Sequence, residues 1–418
     1  MKKMTAIILA AGKGTRMKSD VPKVLHKILG KSAICYILDS LKGAGIKDIV
    51  TVVGYGKELL ADVVDKQTKI IIQKKLLGSG DAVKSAGKAL RGYSGDVLII
   101  CGDTPLVGSR TLKEIAARHA SSGASMTILT VKLKDPTGYG RILRSSDGKI
   151  LKIIEEENAR LYEEKINEVN VGTYCFNTKD LFEALKEVGQ NNKKKEFFLT
   201  DTIEILNKKG KKLESVLLEN PEDMTGINTR RDLAGVTGVL KNRILDELML
   251  SGVTIEDPAS TVIYGGVRIG RDTVICPNTV IESDVEIGAH CRIGPFARIR
   301  PDVKIGDGAE VGNFVELVRT EVGSGAKIKH HTYLGDTKVG RNVNIGAGTI
   351  TANFDGKNKN RTVIEDGAFI GIGARLVAPV RIGRGAIIGA GAVVLKNHNV
   401  PKAAVAVGVP ARIIRKKK

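Results

Sequence analysis

The segment Ile263–Leu317 reads IYGGVRIGRDTVICPNTVIESDVEIGAHCRIGPFARIRPDVKIGDGAEVGNFVEL, and an aliphatic residue stands at every sixth position of it. An α-helix repeats every 3.6 residues and an amphipathic strand every two, so neither produces this spacing. A period of six predicts a parallel β-helix, in which each hexad forms one short strand and one corner of a three-sided prism. A sandwich of short strands is the alternative, but it does not require strict spacing. The periodic positions are Ile263, Ile269, Ile275, Ile281, Ile287, Ile293, Ile299, Ile305, Val311 and Leu317.

A second run with the same period follows in a shifted frame. The aliphatic side chains should point inward and stack on their copies in neighbouring coils, while the glycines that often follow them permit tight corners. Between the runs, Thr349–Arg361 (TITANFDGKNKNR) breaks the period and is predicted to be an excursion loop. The second run consists of Ile364, Ile370, Leu376, Ile382, Ile388, Val394 and Val400.

A prism of about three hexads per coil has flat outer faces on which three chains can pack side by side. We therefore expect a homotrimer. Its substrate sites should lie in the clefts between neighbouring prisms, with residues contributed by more than one chain.

Composition narrows the class of protein. At 418 residues the chain is too long for one domain of ordinary size, and two or three are expected. Aromatic residues make up 4% and tryptophan is absent, which argues against a nucleic-acid partner bound by base stacking. The net charge of +20 is dispersed along the chain and suits phosphorylated small molecules.

The cysteines and the hydropathy pattern indicate a cytoplasmic protein. The five cysteines form no CxxC pair and are odd in number, so neither a disulfide framework nor a zinc site is predicted. No segment is long and apolar enough to predict membrane insertion.

Short aliphatic runs alternate with amphipathic stretches over the first 225 or so residues. This alternation predicts a mostly parallel, Rossmann-like sheet with helices on both faces, whose ligands bind beyond the carboxyl ends of the strands. A single helix is predicted over Asn228–Leu250, capped by Thr229 or Asn228. The predicted strands are Thr5–Ala11, Ile49–Val53, Ile70–Gln73, Val97–Cys101 and Met126–Val131.

A glycine-rich loop follows the first predicted strand. It reads LAAGKGTRM over Leu9–Met17, and Pro22 and Lys23 come soon after. Small residues let backbone N–H groups approach phosphate, and Arg16 and Lys23 add positive charge. The loop is neither a Rossmann fingerprint nor a P-loop, because Met17 stands in place of a third glycine and no Gly-Lys-Ser/Thr ending follows.

Asp103 closes another aliphatic strand. A carboxylate there can reach bound phosphates through Mg²⁺. Alternatively it is an ordinary turn residue before Thr104 and Pro105.

Together these motifs resemble the signature of sugar-1-phosphate nucleotidylyltransferases. Further blocks agree with that family in order along the chain. They are Gln73 with Leu77–Gly80, Gly102–Pro105, Gly138–Arg141, Ile154–Glu155, Asn170–Gly172, Glu196–Asp201 and Gly226–Asn228.

With a β-helix behind this half, the whole chain resembles the bifunctional N-acetylglucosamine-1-phosphate uridylyltransferase/glucosamine-1-phosphate acetyltransferases. The resemblance implies a nucleotidylyltransferase domain at 1–226, a linker helix at 227–252 and a left-handed β-helix acetyltransferase domain at 253–418. It also implies glucosamine-1-phosphate, N-acetylglucosamine-1-phosphate, UTP and acetyl-CoA as substrates, with Mg²⁺ as cofactor.

For the first half the resemblance assigns roles residue by residue. Arg16, Lys23 and Asp103 would be catalytic, and Asp103 and Asn228 would bind Mg²⁺. The residues that would hold the nucleotide are Leu9, Ala10, Ala11, Gly12, Gly14, Gln73, Gly78, Ser79 and Gly102. The residues that would hold the sugar are Gly140, Glu155 and Asn170.

For the second half it implies that His330 is the general base of acetyl transfer, because a neutral imidazole can take the proton of the attacking amine. The alternative is an imidazole without a chemical role. Arg300, Tyr333, Asn344 and Lys359 would hold the amino-sugar phosphate, Lys359 reaching a neighbouring chain. The acetyl-CoA site would comprise Ala347, Asn353, Phe354, Ile372 and Ala390.

The sequence departs from the family pattern at several of these sites. Leu76, Ser79, Asp81 and Val171 stand where Gln, Thr, His and Thr are expected. Val318 stands where a phosphate-binding Lys is expected, Phe354 where a Tyr is expected and Ile372 where a Ser is expected. His331 occupies a position that is usually apolar. The tail Ala406–Arg412 resembles the ending of general hexapeptide acyltransferases. Two other functions therefore stay open. One is a nucleotidylyltransferase of other specificity whose β-helix oligomerises or acetylates another amino-sugar phosphate, and the other is a non-catalytic assembly subunit.

Overall fold

The computed structural model describes residues 3–64, 68–160, 163–190, 192–193 and 195–416. The chain divides into two compact units, Met1–Thr237 and Gly238–Lys418. Among the described residues, none of the helices combines the length and apolarity needed to cross a bilayer.

The first unit is built on a nine-stranded sheet. Its main path runs β11-β7-β10-β6-β1-β4-β5, and β8 and β9 form a hairpin beside β10. Every pair along the main path is parallel except those of β10 with its two neighbours. The strands are β1 Met4–Ala10, β4 Asp48–Val53, β5 Lys69–Ile72, β6 Asp96–Cys101, β7 Met126–Lys132, β8 Arg141–Arg144, β9 Ile150–Ile154, β10 Glu168–Asn177 and β11 Leu213–Leu217, with β2 Lys27–Ile28 and β3 Lys31–Ser32 in a separate small hairpin.

The five predicted strands and the mostly parallel sheet are confirmed, and apolar side chains cover both faces. Along β1, Ala6 and Ile8 belong to one buried cluster and Ile7 to another, as the twofold period of a strand requires. A strand buried on both faces reads as a continuous aliphatic run, which is why it was recognisable. The helices are α1 Ala33–Gly43, α2 Lys57–Val64, α3 Ser79–Ala86, α4 Ser109–Ser122, α5 Thr178–Glu187 and α6 Asp201–Lys208, and 3-10 turns lie at Thr15–Met17, Lys23–Leu25, Glu156–Asn158 and Pro221–Met224.

Helix α7 spans Arg230–Leu250. Thr229 and Asp232 cap its start reciprocally. The Thr229 hydroxyl accepts from the Asp232 N–H at 3.2 Å, and the Asp232 carboxylate accepts from the Thr229 N–H at 2.8 Å. At its end, the N–H groups of Gly252 and Val253 donate back to the last turn, and Gly252 has a φ of 96° that favours glycine.

After α7, the second unit consists of short strands stacked in three sheets, which confirms the predicted β-helix. The first face holds β12 Thr254–Ile255, β15 Val274–Ile275, β18 Arg292–Ile293, β21 Glu310–Asn313, β24 Lys327–His330, β27 Asn344–Ile345, β30 Phe369–Ile370, β33 Ile387–Ile388, β35 Ala404–Val407 and β36 Arg412–Lys416. The second face holds β13 Val262–Ile263, β16 Val280–Ile281, β19 Arg298–Ile299, β22 Glu316–Val318, β25 Tyr333–Gly335, β28 Ile350–Ala352, β31 Arg375–Val377 and β34 Val393–Val394. The third face holds β14 Arg268–Ile269, β17 Val285–Ile287, β20 Val303–Ile305, β23 Glu321–Val322, β26 Thr337–Val339, β29 Thr362–Ile364 and β32 Val380–Ile382.

Parallel pairing carries the hexad register from coil to coil. Ile275 pairs with Ile293, and Ile293 with Val311, so one coil comprises three hexads and each face receives one of them. These side chains are fully buried and form a continuous column of packed aliphatic groups. The burial of this column explains why the period is so strict.

The two hexad runs are out of frame because two corners are one residue short and because the coil with the excursion loop, from Val339 to its partner Ile364, is seven residues longer than three hexads. Ile305 pairs with Val322 and Val322 with Val339, so each of these coils falls one residue short of three hexads. The short corners contain Arg319 and Asp336, both of which have positive φ, 47° and 50°.

The predicted excursion loop begins later than expected. Residues 350–352 form β28 on the second face, so the predicted start at Thr349 was wrong and the loop starts after Ala352. A strand with the sequence Ile-Thr-Ala was overlooked because Thr351, not an aliphatic residue, fills its inward position. Thr351 is 1% exposed, and its hydroxyl accepts from the Gly335 N–H at 2.9 Å.

Candidate functional site

A cavity of about 390 Å³ opens at the carboxyl ends of the parallel strands in the first unit. A Cβ at Gly12 would meet no protein atom within 4 Å, so this glycine leaves space that a ligand can occupy. The cavity contains most of the predicted nucleotide-binding residues. Its lining comprises Leu9, Ala10, Ala11, Gly12, Lys13, Lys23, Val24, Gln73, Leu76, Gly78, Ser79, Ala82, Cys101, Asp103 and Glu196.

Two predicted residues, Gly14 and Gly102, do not line this cavity. Gly102 donates its N–H to the Leu9 carbonyl at 2.9 Å, which ties the ends of β1 and β6 together. Gly14 has a φ of 60° and packs against Lys23, where an added Cβ would lie 2.9 Å from the Lys23 Cβ. Both glycines shape the backbone around the cavity.

Four charged or polar side chains from three separate motifs meet beside the cavity. The Lys23 ammonium group forms an ion pair with the Asp103 carboxylate and donates to the Asn228 amide oxygen at 3.3 Å. Arg16 donates to the same amide oxygen at 3.1 Å. The loop that carries Asn228 is held in place because the Ile227 N–H donates to the Asp103 carbonyl at 2.8 Å.

The oxygen atoms of Asp103 and Asn228 suit a hard divalent cation. Both lie within hydrogen-bond reach of one Lys23 nitrogen, so a single cation between them can contact both. Within the described residues, no group of three or more His, Cys, Asp or Glu side chains could hold a metal by itself. A magnesium ion at Asp103 and Asn228 would therefore complete its coordination with water and phosphate oxygens, as Mg²⁺ commonly does.

The three predicted sugar-binding residues also come together. The Asn170 N–H donates to the Gly140 carbonyl at 2.9 Å, and a Cβ on Gly140 would lie 3.4 Å from a Glu155 carboxylate oxygen. The Asn170 amide donates to the Tyr174 hydroxyl at 2.7 Å, and Thr200 donates to Glu155 at 2.7 Å. Tyr174 and Thr200 thus position the predicted side chains, although the sequence had assigned neither a role.

Asp201 lies close to this group. Burial, followed by the nearby carboxylates of Glu155 and Glu204, raises the pKa of Asp201 to about 6. The sequence pointed to Asp201 only as a member of the Glu196–Asp201 block. Nothing in that block indicates that the Asp201 carboxyl is buried, so its raised pKa was not predictable.

Gln73 and Ser79 are anchored by neighbouring groups. Gln73 is 5% exposed, and its amide nitrogen donates to the Asp81 carboxylate at 2.7 Å. The Ser79 hydroxyl accepts from the Leu199 N–H at 3.0 Å. Gly78 precedes Ser79 with a φ of 106°, and a Cβ there would lie 2.6 Å from the Phe197 carbonyl oxygen. Only glycine fits at this position.

In the second unit, the predicted base and three predicted coenzyme-binding residues occupy equivalent positions in successive coils at one corner of the prism. Asn313 pairs with His330, the Gly348 N–H donates to the His331 carbonyl, and the Gly373 N–H donates to the Ala347 carbonyl. The resulting column consists of His330, Ala347, Ile372 and Ala390.

The two adjacent histidines have different surroundings. The His331 ring stacks on Phe314 with centroids 5.1 Å apart, and Phe314 stacks on Phe296 at the same distance. The His330 side chain is exposed at the end of β24 and has no hydrogen bond or ion pair with any other described side chain.

Arg300 lies one coil below Val318, in register with it. Its guanidinium group donates to Glu316 at 2.9 Å, while its Nε is buried without a hydrogen-bond partner among the described residues. Arg319, next to Val318, forms a bidentate pair with Asp336 at 2.6 and 2.9 Å, which lowers the pKa of that carboxyl. The Arg319 guanidinium group therefore already binds a carboxylate of the protein.

Asn353 lies at a different corner from the His330 column within one chain. Its amide donates to Asp336 at 2.5 Å, and both it and the Tyr333 hydroxyl approach Gly335. Phe354 and Lys359 pair across the excursion loop, where Phe354 is 61% exposed. Asn344 lies on the first face, opposite Lys327 and Phe369.

Comparisons with known proteins match both units. The family model "Nucleotidyl transferase" matches residues 5–224, and "Bacterial transferase hexapeptide (six repeats)" matches 284–319 and 361–396. The chain is 45% identical to the "Bifunctional protein GlmU" of Pelotomaculum thermopropionicum over 90% of each sequence. It is 43% identical to that of Carboxydothermus hydrogenoformans over 97% of each, and 42% identical to that of Geobacillus thermodenitrificans over 98% of this chain and 96% of the relative.

Proposed function

The chain belongs to the family of bifunctional GlmU proteins, and from this premise we propose how it makes UDP-N-acetylglucosamine in two steps. The second unit acetylates glucosamine-1-phosphate with acetyl-CoA. The first unit then transfers UMP from UTP to N-acetylglucosamine-1-phosphate and releases pyrophosphate. The observation that carries the proposal is the meeting of Lys23, Asp103 and Asn228 beside a cavity at the carboxyl ends of parallel strands.

In the nucleotidyl transfer, a phosphate oxygen of the sugar attacks the α-phosphorus of UTP. The bond to the bridging oxygen of the β-phosphate breaks, and pyrophosphate leaves. Such a step needs positioning and charge neutralisation rather than a covalent protein intermediate. Lys23 and Arg16 supply positive charge next to the phosphates, while the glycine-rich loop offers backbone N–H groups.

Asp103 and Asn228 are the residues that would hold Mg²⁺. When bound, the ion neutralises phosphate charge and aligns the two reacting groups. The Lys23 ammonium group contacts both of these residues, so Lys23 would add its positive charge beside the cation and the phosphates. Gly140, Glu155 and Asn170 would hold the sugar, with Thr200 and Tyr174 fixing their orientation.

In the acetyl transfer, the amine nitrogen forms a bond to the thioester carbonyl carbon and the carbon–sulfur bond breaks. His330 takes the proton from the nitrogen, CoA leaves as the thiolate, and the protonated imidazole returns the proton to the sulfur. The free, exposed ring of His330 supports this role, because the neighbouring His331 ring is engaged in an aromatic stack. Ala347, Ile372 and Ala390 extend from His330 along one corner, which is a suitable track for the coenzyme.

Binding of the amino-sugar phosphate is proposed to depend on Arg300, Tyr333, Asn344 and Lys359. Arg300 supports this with a buried Nε that lacks a partner among the described residues. Arg319 is not a substitute for the lysine that Val318 replaces, because its guanidinium group already binds Asp336.

A homotrimer would complete the acetyl-transfer site. The hexapeptide repeats suggest oligomerisation, and residues of the site such as His330 and Phe354 are exposed on a single chain. We further propose a cytoplasmic location, to which the five free cysteines of the chain are suited.

A second candidate is a nucleotidylyltransferase whose β-helix acetylates a different acceptor. The observation in its favour is that Val318, one coil from Arg300, is apolar where the family pattern has a phosphate-binding lysine.

One pair of assays tests the proposal on the full-length protein. UTP and N-acetylglucosamine-1-phosphate with Mg²⁺ should release pyrophosphate, and acetyl-CoA with glucosamine-1-phosphate should release free thiol. Release of pyrophosphate only with another nucleoside triphosphate would reject the uridylyl assignment. Absence of thiol release with glucosamine-1-phosphate, but not with another amino-sugar phosphate, would favour the second candidate.

A further inference from the structure

The side chain of Gln73 is held in a single orientation by two acceptors. Its amide nitrogen donates to the Asp81 carboxylate at 2.7 Å and to the Gly78 carbonyl at 3.2 Å. A primary amide has two N–H donors, so both are used. None of the described residues donates to the Gln73 carbonyl oxygen, and Gln73 lines the 390 Å³ cavity.

Asp81 prevents this amide from rotating by half a turn. An ionised carboxylate only accepts hydrogen bonds, and a carboxylate in the first turn of a helix is favoured by the helix dipole. Asp81 is the third residue of α3. A rotated Gln73 would place its buried carbonyl oxygen against the half-buried Asp81 carboxylate, with no proton between the two acceptors, and this repulsion is costly.

We propose that Asp81 is a positioning residue that makes Gln73 a fixed hydrogen-bond acceptor and thereby selects a pyrimidine that carries an N3–H group. This inference rests on the proposed function, since it assumes that the cavity binds the base of a nucleoside triphosphate. Uracil has a donor at N3 and can pair with the Gln73 oxygen. Cytosine has an acceptor at N3, so it would face an acceptor that cannot turn away.

Without Asp81, only the Gly78 carbonyl at 3.2 Å would favour this orientation of the Gln73 amide, so the amide could offer its oxygen or its nitrogen to the cavity at a smaller cost and would discriminate less. A site built around one fixed hydrogen-bond partner rejects the wrong ligand strongly, since buried polar groups are then left unpaired. The departure from the family pattern at Asp81 thus supports uridine selection instead of weakening it.

The test compares kcat/KM for UTP and CTP in the full-length protein and in Asp81→Asn, with N-acetylglucosamine-1-phosphate and Mg²⁺. Asparagine is close in size but presents both a donor and an acceptor, so Gln73 can turn. We expect the ratio of kcat/KM for UTP to that for CTP to fall by at least about tenfold. Asp62→Asn removes an exposed carboxylate of α2 and should leave the ratio unchanged.

A merely structural role for Asp81 would lower both kcat/KM values and leave their ratio unchanged, and that outcome would overturn the inference. If the unmodified protein turns over UTP but already accepts CTP equally well, the inference also fails while the proposed function stands. If it turns over neither with any sugar-1-phosphate, the proposed function itself fails.

Discussion

Lys23 forms an ion pair with Asp103, a residue far away in the sequence, and the same ammonium group reaches Asn228. The lysine neutralises the carboxylate. A phosphate group can take the place of the carboxylate beside Lys23, and a cation can take the place of the ammonium group beside Asp103. Both members of the ion pair can therefore bind a charged ligand.

Replacing Asp103 should separate the two activities. In Asp103→Asn we expect the kcat of pyrophosphate release to fall by about 10²–10³-fold, because the charged one of the two proposed cation ligands is lost. Thiol release from acetyl-CoA should stay within about twofold of the unmodified rate. Equal losses in both assays would indicate misfolding, and melting curves of the variant check this directly.

The adjacent histidines provide a matched pair of variants. His330→Ala should reduce thiol release by about 10²–10⁴-fold, the range that general base catalysis supplies. His331→Ala should retain most of the activity and lose about 1 kcal/mol of unfolding free energy through the missing stack on Phe314. The reverse result, with His331→Ala inactive and His330→Ala active, would show that the base was assigned to the wrong ring.

Val318 offers a test of phosphate binding. Val318 lies one coil above Arg300 and is 3% exposed, so in Val318→Lys the aliphatic stem has to carry the ammonium group out of the buried position to the guanidinium. In a variant whose melting curve shows that it folds, the KM for glucosamine-1-phosphate should fall by about fivefold to tenfold. Val318→Met, a chain of similar length without the charge, is the control and should not lower the KM. If both variants behave alike, Arg300 does not mark the phosphate site.

Asp201 should make stability depend on pH. Its folded pKa of about 6 lies above the unfolded value of 3.8, so the folded state binds more protons between these two values. The free energy of unfolding should therefore fall as the pH rises from about 4 to about 6.

Asp201→Asn removes this titration. We expect it to raise the free energy of unfolding by about 1 kcal/mol at pH 8, after allowance for solvent screening, and to change it little at pH 4. Urea denaturation at the two pH values measures the difference. A variant that is destabilised equally at both would mean that Asp201 contributes a hydrogen bond and no titration.

The β-helix could be predicted from the sequence because the buried environment that selects an aliphatic residue recurs in every coil. Each inward position lies in the same environment one coil further on, so the period of six is visible without any knowledge of contacts. The exception was Thr351, where a polar residue fills an inward position and the strand was assigned to the loop.

The nucleotide-binding half was recognisable for a related reason, since strands buried on both faces read as aliphatic runs and the loops after them carry the small and charged residues. The motifs identified most of the residues that line the cavity. They did not identify Thr200, Tyr174 or Asp201, whose importance comes from contacts with Glu155 and Asn170.

The sequence by itself determined the two folds, the family and most of the residues that line the cavity of the first unit, because these depend on local periodicity and short motifs. Only the tertiary structure decided how the side chains are used: that Lys23 lies between Asp103 and Asn228, that Arg319 is occupied by Asp336, and that Asp81 fixes the orientation of Gln73. Such pairings depend on the direction of each side chain after strands and coils have packed. Spacing along the chain carries no information about that direction.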